Sequence, residues 1–167
     1  MLQVLFFRLS LLMCAIALGG AAIPVEAAQN TIPSSLYLDT QARALWDQIA
    51  AARADAGLSP LTLDSTVSSL AQERSTDMAT HNYFGHYDPA GRSFLDMMPG
   101  LNLSWRLASE TLERNTYANC ATEAAHGLVT SPPHHAILFD PQYRIGGVGH
   151  AVSRDGMHYF AIIVIEP

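Results

Sequence analysis

The chain has 167 residues, of which 49% are hydrophobic and 14% are charged, and its formal net charge is −6. This length and composition predict one compact globular domain and exclude an intrinsically disordered chain. All nine cationic residues are arginine and they form no basic run, so we expect no nucleic-acid partner.

The N-terminal segment predicts export. Residues 1–27 are interpreted as a signal peptide, in which Arg8 precedes the apolar stretch 9–22 and small residues occupy the cleavage positions. The apolar stretch is short for a membrane span, so we expect no transmembrane segment after cleavage. The mature protein is then secreted, either extracellular or periplasmic. Residues 28–38 are interpreted as a linker and residues 39–167 as the folded domain.

The cysteine content is low, with Cys14 and Cys120 as the two members. Only Cys120 follows the predicted cleavage site, so the mature domain is expected to lack an internal disulfide. We interpret Cys120 as a small buried apolar residue rather than a reactive thiol.

Hydrophobic periodicity and capping residues predict four helices. They cover about residues 40–56, 65–82, 121–129 and 134–139. Asp39 or Thr40 caps the first helix and Asp64 caps the second. Arg74 lies close to the inner face of the second helix, and we interpret it as a side chain at the edge of the core, near Asp77.

The remaining pattern predicts strands. A helical turn is expected over residues 93–98 and a short strand near 103–107. Two strand-like runs, 145–152 and 157–165, flank Asp155-Gly156, which is the strongest short-range signal for a hairpin. Helices around an antiparallel sheet indicate the α+β class.

Most catalytic motifs are absent from the sequence. It contains no HExxH, no GxSxG and no phosphate-binding loop. The segment Gly146-Gly147-Val148-Gly149 precedes the predicted hairpin and lacks a third glycine at dinucleotide spacing. We interpret it as a turn or a close-packing signal.

Histidine is the remaining candidate for site chemistry. His86, His134 and His135 lie in loop or helix-start settings, where side chains converge on clefts. Imidazole suits zinc or copper, but no tight ligand pair such as HxxxH or CxxC is present. Spacing alone therefore does not define a metal site.

Several segments, in their order and spacing, resemble the bacterial SCP-like branch of the CAP family (cysteine-rich secretory protein, antigen 5, pathogenesis-related 1). The segments are 57–61, Asp64, 71–75, 77–79, Tyr83 to Gly91 (YFGHYDPAG), 93–94, Ser131 to Ala136 (SPPHHA), 140–143, 145–149 and 155–160. The resemblance covers about residues 40–166. It implies an α/β/α sandwich with a central antiparallel sheet flanked by helices.

The resemblance also implies a cavity lined by His86, Glu110 and His134, with Ser131 at a fourth position where other members carry an acid. His86 and His134 would be the metal ligands, with Zn²⁺ as the ion and Glu110 or His135 as an additional ligand. The sequence departs from the family pattern beside these positions, at Ser109, Thr111, Leu128 and Pro133.

Three functions follow from this set of residues. The one we favour is a non-enzymatic secreted binding module for a metal ion, a small or lipidic ligand such as a sterol, or a cell-envelope partner. The second is a metal-dependent hydrolase of protease or esterase type, in which Glu110 is a ligand or a general base. A Ser131–His134 nucleophilic pair is its weaker variant. The third is a structural extracellular domain with a degenerate cavity.

Overall fold

The computed structural model describes residues 38–167, and the predicted signal peptide and all but the last residue of the predicted linker lie outside that range. Nine helices and strands and one 3₁₀ turn follow one another in the described part of the chain. They are α1 (Thr40–Asp55), β1 (Thr62–Leu63), α2 (Ser65–His81), α3 (Phe94–Met97), a 3₁₀ turn (Met98–Gly100), β2 (Leu107–Asn115), α4 (Cys120–Thr130), α5 (Pro132–Leu138), β3 (Ile145–Val152) and β4 (His158–Glu166).

The caps of the first two helices agree with the sequence. The Asp39 carboxylate accepts a hydrogen bond from the Ala42 amide at 2.7 Å and begins α1. The Asp64 carboxylate accepts from the amides of Thr66 and Val67 and begins α2. Such caps satisfy amides that the first helical turn leaves without a partner.

The four strands form one sheet in the order β1-β3-β4-β2. The central strand β4 pairs antiparallel with both β2 and β3, which confirms the expected hairpin and antiparallel sheet. The two-residue strand β1 was not expected, and it adds a short parallel pairing beside β3.

The sheet lies between two helical layers, which confirms the α/β/α sandwich. Alternate residues of β4 point to opposite faces because successive side chains of a strand do so. Ala161, Ile163 and Ile165 pack with α2, whereas Ile162 and Val164 pack with α1 and α4. Burial on both faces explains why this strand is continuously apolar.

The glycines of β3 allow α2 to approach the sheet. A Cβ on Gly147 would overlap the backbone of Ser68, and a Cβ on Gly149 would overlap the backbone of Ala71. Only a residue without a side chain fits there, so the close-packing interpretation of this segment is confirmed.

One strand was predicted in the wrong place, and one short helix is present with an earlier start. The strand expected near residues 103–107 lies at Leu107–Asn115. The apolar pattern did not indicate it, because buried Glu110 and other charged residues interrupt its alternation. The short helix expected from His134 begins earlier, at Pro132, because proline fits the first turn of a helix. Among the described residues, no helix is long and apolar enough to cross a membrane.

Candidate functional site

The Glu110 carboxylate on β2 is the centre of the predicted site. Its side chain is fully buried, and each oxygen has a different partner. Oε1 accepts a hydrogen bond from Arg74 Nε at 2.9 Å, and Oε2 lies 2.9 Å from His86 Nδ1. Because each oxygen contacts a different side chain, Glu110 links Arg74 to His86.

Arg74 is a buried member of this site, so its interpretation as a core-edge side chain near Asp77 was wrong. Its side chain is 2% exposed. Besides Glu110, it donates to the Tyr83 hydroxyl and to the Gly85 carbonyl, each at 2.9 Å. A buried carboxylate requires such a cation, since an unpaired charge in the interior is costly.

Tyr83 links the loop after α2 back to that helix. Its hydroxyl donates to Asp77 Oδ2 at 2.5 Å while accepting from Arg74. Burial and then the bond to Asp77 raise the pKa of Tyr83 to about 12, so the phenol keeps its proton. These contacts fix the segment that carries His86.

His86 faces solvent from this fixed loop, with a side chain that is 54% exposed. Because a carboxylate oxygen paired with Arg74 accepts hydrogen bonds, His86 Nδ1–H is the donor and Glu110 Oε2 the acceptor. The lone pair of the neutral ring is then on Nε2. A carboxylate partner of this kind orients a histidine for metal binding and raises its basicity.

His134 lies in α5 and is half-buried. Its Nδ1 is buried and has no hydrogen-bond partner among residues 38–167. Burial, together with the nearby His86, lowers the pKa of its imidazole. The ring is therefore neutral at physiological pH, which is the form that binds a metal ion.

Ser131 and His135 make other contacts than those that join Arg74, Glu110 and His86. Ser131 is the residue before α5, and its carbonyl accepts from the His135 amide at 2.8 Å. Since His134 Nδ1 has no hydrogen-bond partner among the described residues, it does not bond to the Ser131 hydroxyl and does not activate it as a nucleophile. The His135 ring is stacked on Phe139 with centroids 4.0 Å apart.

The residues that depart from the family pattern have structural contacts. Ser109 Oγ lies 2.6 Å from the Tyr143 hydroxyl. Leu128 of α4 is fully buried in the core that α4 shares with α1, and Pro133 is exposed in the first turn of α5. The Thr111 hydroxyl is buried without a partner among the described residues.

Sequence reasoning missed two features. The first is the buried ion pair between Arg74 and Glu110, for which the charge of Arg74 on the inner face of its helix was the available signal. The second is a cluster on β3 and β4, where His150 and His158 approach Cys120. Inward alternation along β3 could have indicated that His150 is buried.

The described residues also form a cavity of about 620 Å³ near the C-terminal end of α2 and the β3–β4 turn. Its lining residues include Asn82 and Arg154 and none of the four predicted site residues. The predicted site is therefore a cluster of side chains rather than part of this cavity.

The fold places the protein among α/β/α sandwich domains. The chain belongs to the CAP family, since the profile of the "Cysteine-rich secretory protein family" matches residues 46–165.

Individual relatives agree with this assignment. The chain is 32% identical over 103 residues to the uncharacterized protein YkwD of Bacillus subtilis (strain 168), which covers 62% of this chain and 39% of that protein. The chain thus spans well under half the length of this relative.

Two solved structures share the fold. An extracellular protein containing an SCP domain from Bacillus anthracis superposes with a TM-score of 0.65 at 23% identity, covering 76% of this chain and 40% of that one. An outer surface protein of Borrelia burgdorferi gives 0.69 at 18% identity, covering 77% and 93%. At these identities the likeness establishes the fold alone.

Proposed function

We propose that this protein is an extracellular binding module that holds a divalent transition-metal ion, Zn²⁺ foremost, between His86 and His134. The observation that carries the proposal is the chain of contacts from buried Arg74 through Glu110 to Nδ1 of the exposed His86 ring. This chain presets the tautomer that leaves Nε2 available to a ligand.

His134 supports the second half of the site. Its buried Nδ1 without a partner is a polar atom that a ligand would satisfy, and its lowered pKa keeps it neutral. A neutral imidazole is a good ligand for zinc. His86 is the second cause of that lowered pKa, after burial.

Glu110 is a positioning residue in this proposal and not a ligand. Among residues 38–167, the group with three ligand atoms mutually within 4.8 Å lies elsewhere, so Glu110 does not complete a tight triad with the two histidines. Its two oxygens remain with Arg74 and His86.

Binding is favoured over hydrolysis by the same contacts. A bound zinc ion would supply Lewis-acid chemistry and polarise a water or a carbonyl oxygen. The Glu110 carboxylate is fully buried and already contacts Arg74 and His86, and His134 Nδ1 makes no hydrogen bond to Ser131. The hydrolase alternative therefore has no solvent-exposed base at Glu110.

The location and any organic ligand are also proposed. Export rests on the signal-like N-terminal segment, and it agrees with the extracellular and outer-surface relatives. A small or lipidic ligand, such as a sterol, remains a prediction from the family resemblance.

The test is a calorimetric zinc titration of the full chain carrying Cys14→Ser and Cys120→Ala, so that no thiol binds the ion. Because each histidine supplies one ligand, we expect His86→Ala and His134→Ala each to weaken binding by at least about tenfold. His126→Ala is the matched control, since His126 is an exposed histidine on α4. It should leave the affinity unchanged.

Zinc binding that is indifferent to both changes, or is absent from the parent, would contradict the proposal. In that case the Arg74–Glu110–His86 contacts would serve to tie the loop to the sheet. That result would favour the structural alternative.

A further inference from the structure

A second group of metal-binding side chains lies where three elements meet. Cys120 is the first residue of α4, His150 is on β3 and His158 begins β4. One ligand atom from each lies within 4.8 Å of the other two. Cys120 and His150 are buried, at 1% and 6% exposure, and His158 is half-buried.

The orientation of His150 is set by Asp39. Asp39 Oδ2 lies 2.7 Å from His150 Nδ1, and Asp39 Oδ1 caps α1 through the Ala42 amide. With Nδ1–H donated to Asp39, the lone pair of the neutral His150 ring is on Nε2. That atom lies 2.9 Å from His158 Nδ1, and Phe160 stacks on the His150 ring.

His158 can serve as the second imidazole. Burial, and then the neighbouring His150, lower the pKa of His158, although Asp39 acts in the opposite direction. The ring is therefore neutral at physiological pH. In tetrahedral zinc sites, ligand nitrogens lie roughly 3.3 Å apart, so the spacing of the two histidine nitrogens needs to change little.

Cys120 can supply a thiolate. Its Sγ lies 3.2 Å from Gln41 Oε1, and burial raises the pKa of the thiol, so the free protein keeps the proton. A metal ion would replace that proton, as coordination deprotonates a thiol. The released proton passes to solvent.

We propose that Cys120, His150 and His158 form a binding site for a borderline-soft divalent transition-metal ion, with zinc as the natural occupant. Asp39 is the positioning carboxylate of this site. A thiolate and two imidazoles suit zinc and its neighbours and do not suit Mg²⁺ or Ca²⁺, which require oxygen ligands. Asp39, whose side chain is 46% exposed, lies on the solvent side of the cluster.

The site is independent of the one proposed at His86. It uses no residue of that cluster, and it differs by having a sulfur ligand. Thiolate coordination gives Co²⁺ an intense ligand-to-metal charge-transfer absorption, which nitrogen and oxygen ligands do not give. The two sites can therefore be distinguished by spectrum as well as by mutation.

The experiment is a Co²⁺ titration of the full chain carrying Cys14→Ser, so that Cys120 is the sole thiol, followed by absorbance. We expect a charge-transfer band that grows to a plateau as Co²⁺ is added and is abolished by adding Zn²⁺. Cys120→Ala should remove the band, and His158→Asn should weaken cobalt binding by at least about tenfold.

The matched control is the double variant His86→Ala/His134→Ala, which should keep the band. Absence of the band in the parent, or an unchanged titration in His158→Asn, would overturn the proposal. The spectrum of the parent protein shows by itself whether a thiolate binds the cobalt, even where a variant fails to fold. Loss of the band in the double variant would also contradict the proposed site.

Discussion

Two histidines of this domain bond to a carboxylate through Nδ1, His86 to Glu110 at 2.9 Å and His150 to Asp39 at 2.7 Å. In the first pair the carboxylate is buried and the histidine is exposed, and in the second pair the histidine is buried and the carboxylate is partly exposed. The Glu110 side chain is fully buried and the His86 side chain is 54% exposed, whereas the Asp39 side chain is 46% exposed and the His150 side chain 5%.

The difference has an electrostatic consequence. A buried carboxylate needs a compensating cation, and Glu110 has Arg74. Asp39 is partly solvated and sits at the N-terminus of α1, where the helix itself stabilises a negative charge. The first arrangement presents a preset ring to solvent. The second directs a ring toward the interior, where His158 and Cys120 lie.

The largest effect is expected for the cation of the first pair. Arg74→Met should lower the free energy of unfolding by about 3–5 kcal/mol, because it leaves the Glu110 charge buried without its arginine cation. It also removes the donors to Tyr83 and Gly85. Urea denaturation at neutral pH measures the loss.

A second variant separates charge from packing. Adding Glu110→Gln to Arg74→Met removes the unpaired charge, so the double variant should be more stable than Arg74→Met alone. Purely additive losses would show that the ion pair does not govern stability here, and the comparison of the two pairs would then fail.

The site residues differ in the kind of sequence signal that marks them, a family motif or a helical periodicity, and so they were predicted to different degrees. His86, Glu110 and His134 were found by their place in family motifs, and the structure brings His86 onto Glu110. Arg74 was misplaced because periodicity reports the face of a helix and not its depth. Without a known partner, a charged residue on the inner face of a helix is interpreted as lying at the edge of the core.

The fold was predicted more completely than the second cluster. Helix caps and the Asp155-Gly156 turn are local signals, so α1, α2 and the hairpin were predicted from neighbouring residues. The approach of Cys120 to His150 joins positions 30 residues apart through the packing of α4 on the sheet. No local pattern encodes that distance.

A smaller effect is expected for the carboxylate of the second pair. Asp39→Ala should cost about 1–2 kcal/mol, because it removes the cap of α1 together with the partner of His150. Asp39→Asn should cost less, because asparagine caps a helix about as well as aspartate. Thermal and urea unfolding of both variants provide the measurement. A loss in Asp39→Ala as large as that in Arg74→Met would contradict the ranking of the two pairs.

A third carboxylate, Glu113 on β2, has neither kind of support. Its side chain is half-buried against α4, where a Cβ on Gly127 would lie 3.1 Å from Oε2. No ion pair involves it among residues 38–167. Burial raises the pKa of Glu113 above its ordinary value of 4.5, with a smaller opposing contribution from the Arg114 amide.

A raised folded-state pKa means that the stability Glu113 contributes is present below its unfolded pKa and is lost as the pH rises through the folded one. At neutral pH the desolvated charge is therefore a net cost. Glu113→Gln should raise the free energy of unfolding at neutral pH by only about 0.5 kcal/mol, since the group is partly solvated. The gain should shrink when urea unfolding is repeated near pH 4, where the parent carboxyl is largely protonated. An equal gain at both pH values would show that the amide acts through packing, and that burial without a partner costs this carboxylate nothing.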